Sequence, residues 1–341
     1  MSTEPLTPRR AAIGVLALVG LLLAALFVGA SFGAGAVPLH RLWRGAALSG
    51  AERAILLEVR LPRVLLAAIL GGALSTAGVV FQALLRNPLA DPYVLGVSGG
   101  ASVGGIVALL LGLGGAAAPL GGLALPFGAF CGALGALLAI ERIATVDGRL
   151  SVQTLLLTGV IVNATTGAVI FFLQSVASSE QLHAMVFYLM GSVPSLGWRE
   201  VEIAALLVAF AVIALLGSAR SYNALALGES GAQALGVDVE RLKRRSFVSG
   251  SLLTAAAVAA GGLIGFVGLV VPHALRLLLG PDHRLLLPAA FFGGGAFLVL
   301  GDLVARLVLA PNELPVGVIT ALVGGPFFLV LLRGRRRDGD V

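Results

Sequence analysis

The chain has 341 residues, 58% of them hydrophobic and 12% charged, with a mean hydropathy of +1.02 and a formal net charge of +6. About a quarter of a soluble domain's residues are charged, so this sequence cannot hide its apolar surface from water as a globule. It reads as an all-α, polytopic membrane protein. The positive charge comes without an aromatic-basic patch, which excludes nucleic acid as a partner and leaves loop orientation in membrane lipid as its role.

Arg9 and Arg10 precede an apolar run over 11–33. The small residues Gly33 to Ala36 resemble a secretory cleavage site. The run is longer than a signal-peptide core, however, and more spans follow, so it is taken as an uncleaved first helix. Further spans are expected over 62–84, 93–113, 119–140, 152–175, 201–218, 247–264, 268–280, 285–305 and 315–333, about ten in all. Cys131, the only cysteine, excludes a disulfide framework and a cysteine metal site, and its apolar surroundings read as packing. The span at 268–280 is short for a crossing. The run Gly265 to Arg276 holds a glycine turn, Pro272, His273 and Arg276, so it has to face protein or water rather than lipid.

Basic residues orient the chain. With the N-terminus inside, the inner segments hold Arg9, Arg10, Arg86, Arg142, Arg149, Arg220, Arg241, Lys243, Arg244, Arg245, Arg276, Arg284, Arg333 and Arg335 to Arg337, which is 16 of the 23 lysines and arginines. The outer side holds Arg41, Arg44, Arg53, Arg60, Arg63, Arg199 and Arg306. The bias places both termini on the cytoplasmic side. The longest inner loop, 219–246, spaces Leu and Ala as in a helix and is broken by glycines. It reads as two short amphipathic helices joined at Gly236. Their apolar side either lies on the protein's own inner face or fits a groove on a partner.

Several chemistries are missing. Lys243 is the only lysine and follows no glycine-rich loop, so no phosphate-cradling motif is present. His40, His183, His273 and His283 have no metal-ligand spacing, and no nucleophile grouping occurs. Catalytic residues and a metal site are therefore not expected, and the chain is not expected to be an enzyme. Carboxylates are absent from the middle of the spans, which argues against the alternative of an ion-coupled secondary transporter or channel. Gln82, Asn163 and Gln174 are the polar residues inside spans, either bonding between helices or, for Asn163, facing a pore. Asp302 and Arg306 lie one helical turn apart and can pair with each other.

Five segments in order carry a resemblance: Arg60-Leu61-Pro62-Arg63; Gln82 to Pro92 with Leu95 to Ala101; Leu227-Gly228-Glu229 with Leu235-Gly236-Val237; Gly265 to Arg276 with Gly280 to Arg284; and Glu313 to Thr320 with Gly324 to Phe328. Together they resemble the permease family of bacterial ABC importers for iron–siderophores, haem and vitamin B12, over nearly the whole chain. The resemblance implies the type II ABC importer permease fold, one transmembrane domain over 1–341, in the cytoplasmic (inner) membrane. It implies a homodimer, ATP-binding cassette ATPase subunits on the cytoplasmic face and an extracytoplasmic substrate-binding protein. No cofactor is expected on this chain, since ATP and Mg belong to the partner ATPase. The cargo is expected to be an iron chelate, haem or cobalamin.

By the same resemblance, Arg60, Arg63 and Arg306 dock the binding protein. Leu227, Gly228, Glu229, Leu235, Gly236 and Val237 contact the ATPase as part of the coupling loop. Ser151, Val152 and Gln153, with Asn163, belong to the pathway and its gate. Arg86, Asn87 and Pro88 read as a structural turn. Pro272, His273 and Arg276 are expected to point toward the cytoplasmic side, with His273 structural or coupling rather than a metal ligand.

Overall fold

The computed structural model describes residues 8–33, 49–113, 121–195 and 197–338. Arg41, Arg44 and His40 lie outside the described residues, as do the side chains of Arg9, Arg10, Arg333 and Arg335 to Arg337. The chain folds as α1 (Pro8–Ser31), α2 (Gly50–Ala54), a π-helical stretch (Ile55–Arg60), α3 (Leu61–Leu84), a 3-10 turn (Pro92–Leu95), α4 (Val97–Leu110), a second 3-10 turn (Gly121–Leu123) and α5 (Ala124–Ala144). It continues with β1 (Thr145–Val146), β2 (Arg149–Leu150), α6 (Val152–Ser175), α7 (Ser179–Met190), α8 (Trp198–Leu216), α9 (Ala219–Leu225) and α10 (Glu229–Ala234). It ends with α11 (Val239–Gly261), α12 (Val267–Leu279), α13 (His283–Leu307) and α14 (Val316–Asp338).

Every expected span falls on a helix. Five described helices are long and apolar enough to cross a bilayer unaided, or six if the bent pair Trp198–Leu216 and Ala219–Leu225 is one span. The apolar helices α4, α12 and part of α14 are shorter, and α11 carries charges in its first turns. The large apolar residues left on outer faces, such as Leu206, Phe210 and Ile213 on α8 and Ile161, Phe171 and Phe172 on α6, suit a bilayer rather than water.

α3 is the hub. It is apolar on nearly all sides, the pattern of a helix surrounded by others, and it packs against α13, α11, α12 and α8. Two backbone approaches require glycine: a Cβ on Gly71 would overlap the Gly294 carbonyl of α13, and one on Gly78 would overlap the Gly268 carbonyl of α12. Small residues at such crossings let membrane helices close on each other.

Three features differ from the sequence reading. The second helix starts near Gly50 rather than at 62, capped by a Ser49–Glu52 box. The π-helical turn over Ile55–Arg60 carries it into Pro62 without a break. A helix not foreseen, α7, follows the fifth span and is capped by Ser178 and Gln181. Cys131 is exposed on α5 rather than packed inside.

Candidate functional site

α3 is 24 residues long, so its two ends stand about 35 Å apart, and polar groups gather at both. At the Arg63 end, Arg63 donates from Nε and Nη2 to Asp302 Oδ1 at 3.2 and 2.9 Å, and from Nη1 to Glu313 at 2.7 Å. Arg306 lies 2.9 Å from the other Asp302 oxygen. That contact is an ion pair at an angle too poor for a hydrogen bond, since both atoms lack a hydrogen-bond partner. Arg306 also donates to the carbonyls of Gly29 and Phe32, and Arg60 to those of Ala30 and Ser31. Arg60 and Arg306 thus cap the carbonyls left open at the end of α1, while Arg63 binds the two carboxylates.

Arg60, Arg63 and Arg306 are only 6%, 8% and 4% exposed, so they sit behind the surface and not on its rim. The expected Asp302–Arg306 pair is present. Glu313 is the partly exposed member, at 44% of its side chain.

Midway along the bundle the backbone leaves helical form in places, which a bilayer tolerates only where protein supplies hydrogen bonds. Tyr93 does so: its hydroxyl donates to the Ile264 carbonyl at 2.9 Å and accepts from the Ile264 N–H at 3.0 Å, satisfying both groups of the turn between α11 and α12. Asp91 caps the short turn that positions Tyr93. The Asn163 amide donates to the Tyr93 carbonyl at 2.9 Å. Gln82 donates to the Gly268 carbonyl and accepts from Arg276 at 2.8 Å. The run Gly265 to Arg276 is therefore protein-facing. His273 is buried against Phe327, and among the described residues no group of three His, Cys, Asp or Glu can hold a metal ion.

At the opposite end of α3, Arg86 (φ 47°) turns the chain and the Asn87 side chain accepts from the Leu89 N–H at 2.9 Å, the turn expected there. The helices of the 219–246 loop break at Gly228 (φ 96°). Gly236 instead joins α10 to the long α11, which begins at Val239, so the loop ends earlier than expected. Leu227 and Leu235 are 70% and 64% exposed, and Gly236 is exposed too. Val237 packs on the core, and Glu229 turns inward to Lys243. Asp282 caps α13 and binds Asn223 and Arg284. The hydrogen bond from Arg284, opposed by partial burial and helped by Asn223, holds its carboxyl well below the usual range.

Ser151 accepts from the Thr154 N–H and so caps α6, with Val152 and Gln153 in its first turn. Just before it, β1 and β2 form a hairpin through Asp147-Gly148, both at positive φ, the pairing that suits a tight two-residue turn. Burial opposes ionisation of Glu240, but hydrogen bonds from Lys243 and the Leu150 N–H outweigh it and lower the pKa of the carboxyl. Sequence reasoning missed this hairpin and Glu240, although Asp-Gly was a legible signal for the turn.

The sequence model of the FecCD transport family matches residues 21–334. The chain is 40% identical over 320 residues to the hemin transport system permease protein HmuU of Yersinia pestis, covering 93% of this chain and 95% of that one. It is 47% identical over 277 residues to the cobalamin import system permease protein BtuC of Halobacterium salinarum, covering 81% and 73%. Among solved structures, a metal-chelate type ABC transporter in an inward-facing conformation superposes with a TM-score of 0.80 at 31% identity, over 95% of this chain and 99% of that one. PsaBC from Streptococcus pneumoniae shares the fold, with a TM-score of 0.52 at 20% identity over 79% and 90%.

Proposed function

The chain belongs to the FecCD transport family, and from that premise we propose that it is the membrane subunit of an importer that carries a bulky metal chelate inward, driven by ATP hydrolysis in separate subunits. Relatives are named for hemin and cobalamin, so the cargo class is a large, rigid, metal-centred molecule such as haem, cobalamin or a ferric siderophore. Two copies form the pathway in the cytoplasmic membrane, with both termini inside. Nucleotide binding in the ATPase biases a helix bundle between two arrangements.

One observation carries the coupling half of this reading. Leu227 and Leu235 stand exposed in the turns that flank the short helix α10, at the end of the bundle rich in basic residues. Apolar side chains displayed on a polar loop mark a docking surface, and an ATP-binding subunit is the partner that this family membership implies. That end is the cytoplasmic one. The soluble binding protein meets the opposite end, where the buried arginines hold the surface segments from within and Glu313 stays partly exposed.

The test is reconstitution of the chain with its cognate ATPase and binding protein in liposomes. Uptake of haemin, cyanocobalamin and ferrichrome is measured with and without ATP. ATP-dependent accumulation of one of them supports the reading; uptake of none above control liposomes contradicts it.

A further inference from the structure

The only lysine in the chain is buried, and it joins the coupling loop to the start of α6. Lys243 Nζ lies 2.6 Å from Glu240 and 3.3 Å from Glu229, with 6% of its side chain exposed. Glu229 is the first residue of α10. Glu240 in turn accepts a hydrogen bond from the Leu150 N–H at 2.8 Å, and Leu150 directly precedes the Ser151 cap of α6. One residue beyond Lys243, Arg244 reaches Glu141 at the end of α5, 3.2 Å away. The first turns of α11 therefore hold the β1–β2 hairpin at two points: Glu141 just before it and Leu150 at its last residue. A cavity of about 350 Å³ lies between these groups, lined by Leu150, Ser151, Val152, Glu229, Glu240 and Lys243.

We propose that Lys243 is a positioning residue that transmits displacement of α10 to the first turn of α6, through Glu229 on one side and Glu240 and the Leu150 N–H on the other. The inference rests on the transport reading, in which α10 meets the ATPase and α6 opens the pathway. The chemistry suits a bar rather than a hinge. Lysine sits between two carboxylates that repel each other without it, and charged hydrogen bonds in a shielded site resist stretching more than neutral ones. Loss of the ammonium removes the cation that joins Glu229 to Glu240, leaves Glu240 held by the Leu150 N–H, and frees α10 from α11. Spatial intermediacy alone does not establish coupling, so the readout has to separate docking from transmission.

Cys131 is the only cysteine, so Cys131→Ser gives a clean background for a spin label at Leu157→Cys, an exposed position in the second turn of α6. The distance between the two labels of the dimer is measured in the full complex, with and without ATP and vanadate. In the background chain, nucleotide shifts the distance distribution. With Lys243→Ala, ATPase binding and nucleotide trapping persist, while the shifted population falls about fivefold or more, the scale of a typical coupling term. Lys243→Arg restores it. Glu240→Gln, which keeps an acceptor for Leu150 but loses charge, gives an intermediate result.

A full shift in Lys243→Ala overturns the proposal, as does parallel loss of ATPase binding that Lys243→Arg does not rescue. Failure of the transport reading is distinguishable, because the background chain itself would then bind no ATPase.

Discussion

Removal of the Asp302 carboxylate should destabilise the protein far more than removal of Glu313, although both pair with Arg63. Asp302 is 2% exposed and neutralises two guanidinium groups whose side chains are 10% and 5% exposed. Breaking a buried pair by deleting one partner costs about 3–5 kcal/mol, because the remaining charge stays buried. In Asp302→Ala, Arg63 keeps Glu313 and Arg306 keeps two carbonyls, which places the loss near the lower end, about 3 kcal/mol. Glu313 is 44% exposed, and an exposed partner contributes about 0–1 kcal/mol. The assay is unfolding of purified protein in mixed detergent micelles, monitored by tryptophan fluorescence, for Asp302→Ala, Glu313→Ala and the double variant. Equal losses for the two single variants would refute the argument that burial makes Asp302 the keystone of the cluster.

Aspartate at both Leu227 and Leu235 should weaken association with the ATP-binding subunit by tenfold or more, with stability changed by no more than about 0.5 kcal/mol, as for exposed sites; co-purification and unfolding curves check the two halves. Tyr93→Phe removes the partner of both the Ile264 N–H and its carbonyl. It should cost about 1–3 kcal/mol through unsatisfied buried groups, read by the same unfolding assay. Asp282→Ala should be less stable than wild type at neutral pH. A carboxyl held below its ordinary value stabilises the fold above that value and stops doing so as pH falls through its lowered one. The difference between the two proteins should therefore stay constant from pH 7 to 5 and shrink only below the ordinary 3.8.

Most of the spans were legible because they are long apolar runs. The segments missed were those whose signals are local. α7 is 12 residues long and mixes polar with apolar residues, so hydropathy does not reveal it, whereas the Ser178–Gln181 capping box does. The second helix seemed to start at Pro62 because proline favours a first turn; a π-helical turn is not written in composition. The burial of Arg60, Arg63 and Arg306 was hidden for another reason. Their main partners lie on α1 and α13, up to 277 residues away along the chain, and only the folded arrangement shows that these charges face inward. Gln82 and Asn163 were singled out correctly as polar groups inside spans, while their acceptors, the Gly268 carbonyl in the first turn of α12 and the Tyr93 carbonyl in the 3-10 turn, depend on where those segments meet.

The account stands most directly on the energy source of transport. In sealed liposomes containing the chain, its cognate ATPase and its binding protein, chelate uptake is followed with ATP, with a non-hydrolysable analogue, and with a proton or sodium gradient but no nucleotide. The account predicts uptake with ATP alone. Uptake driven by an ion gradient without nucleotide would contradict it and make the chain a secondary carrier.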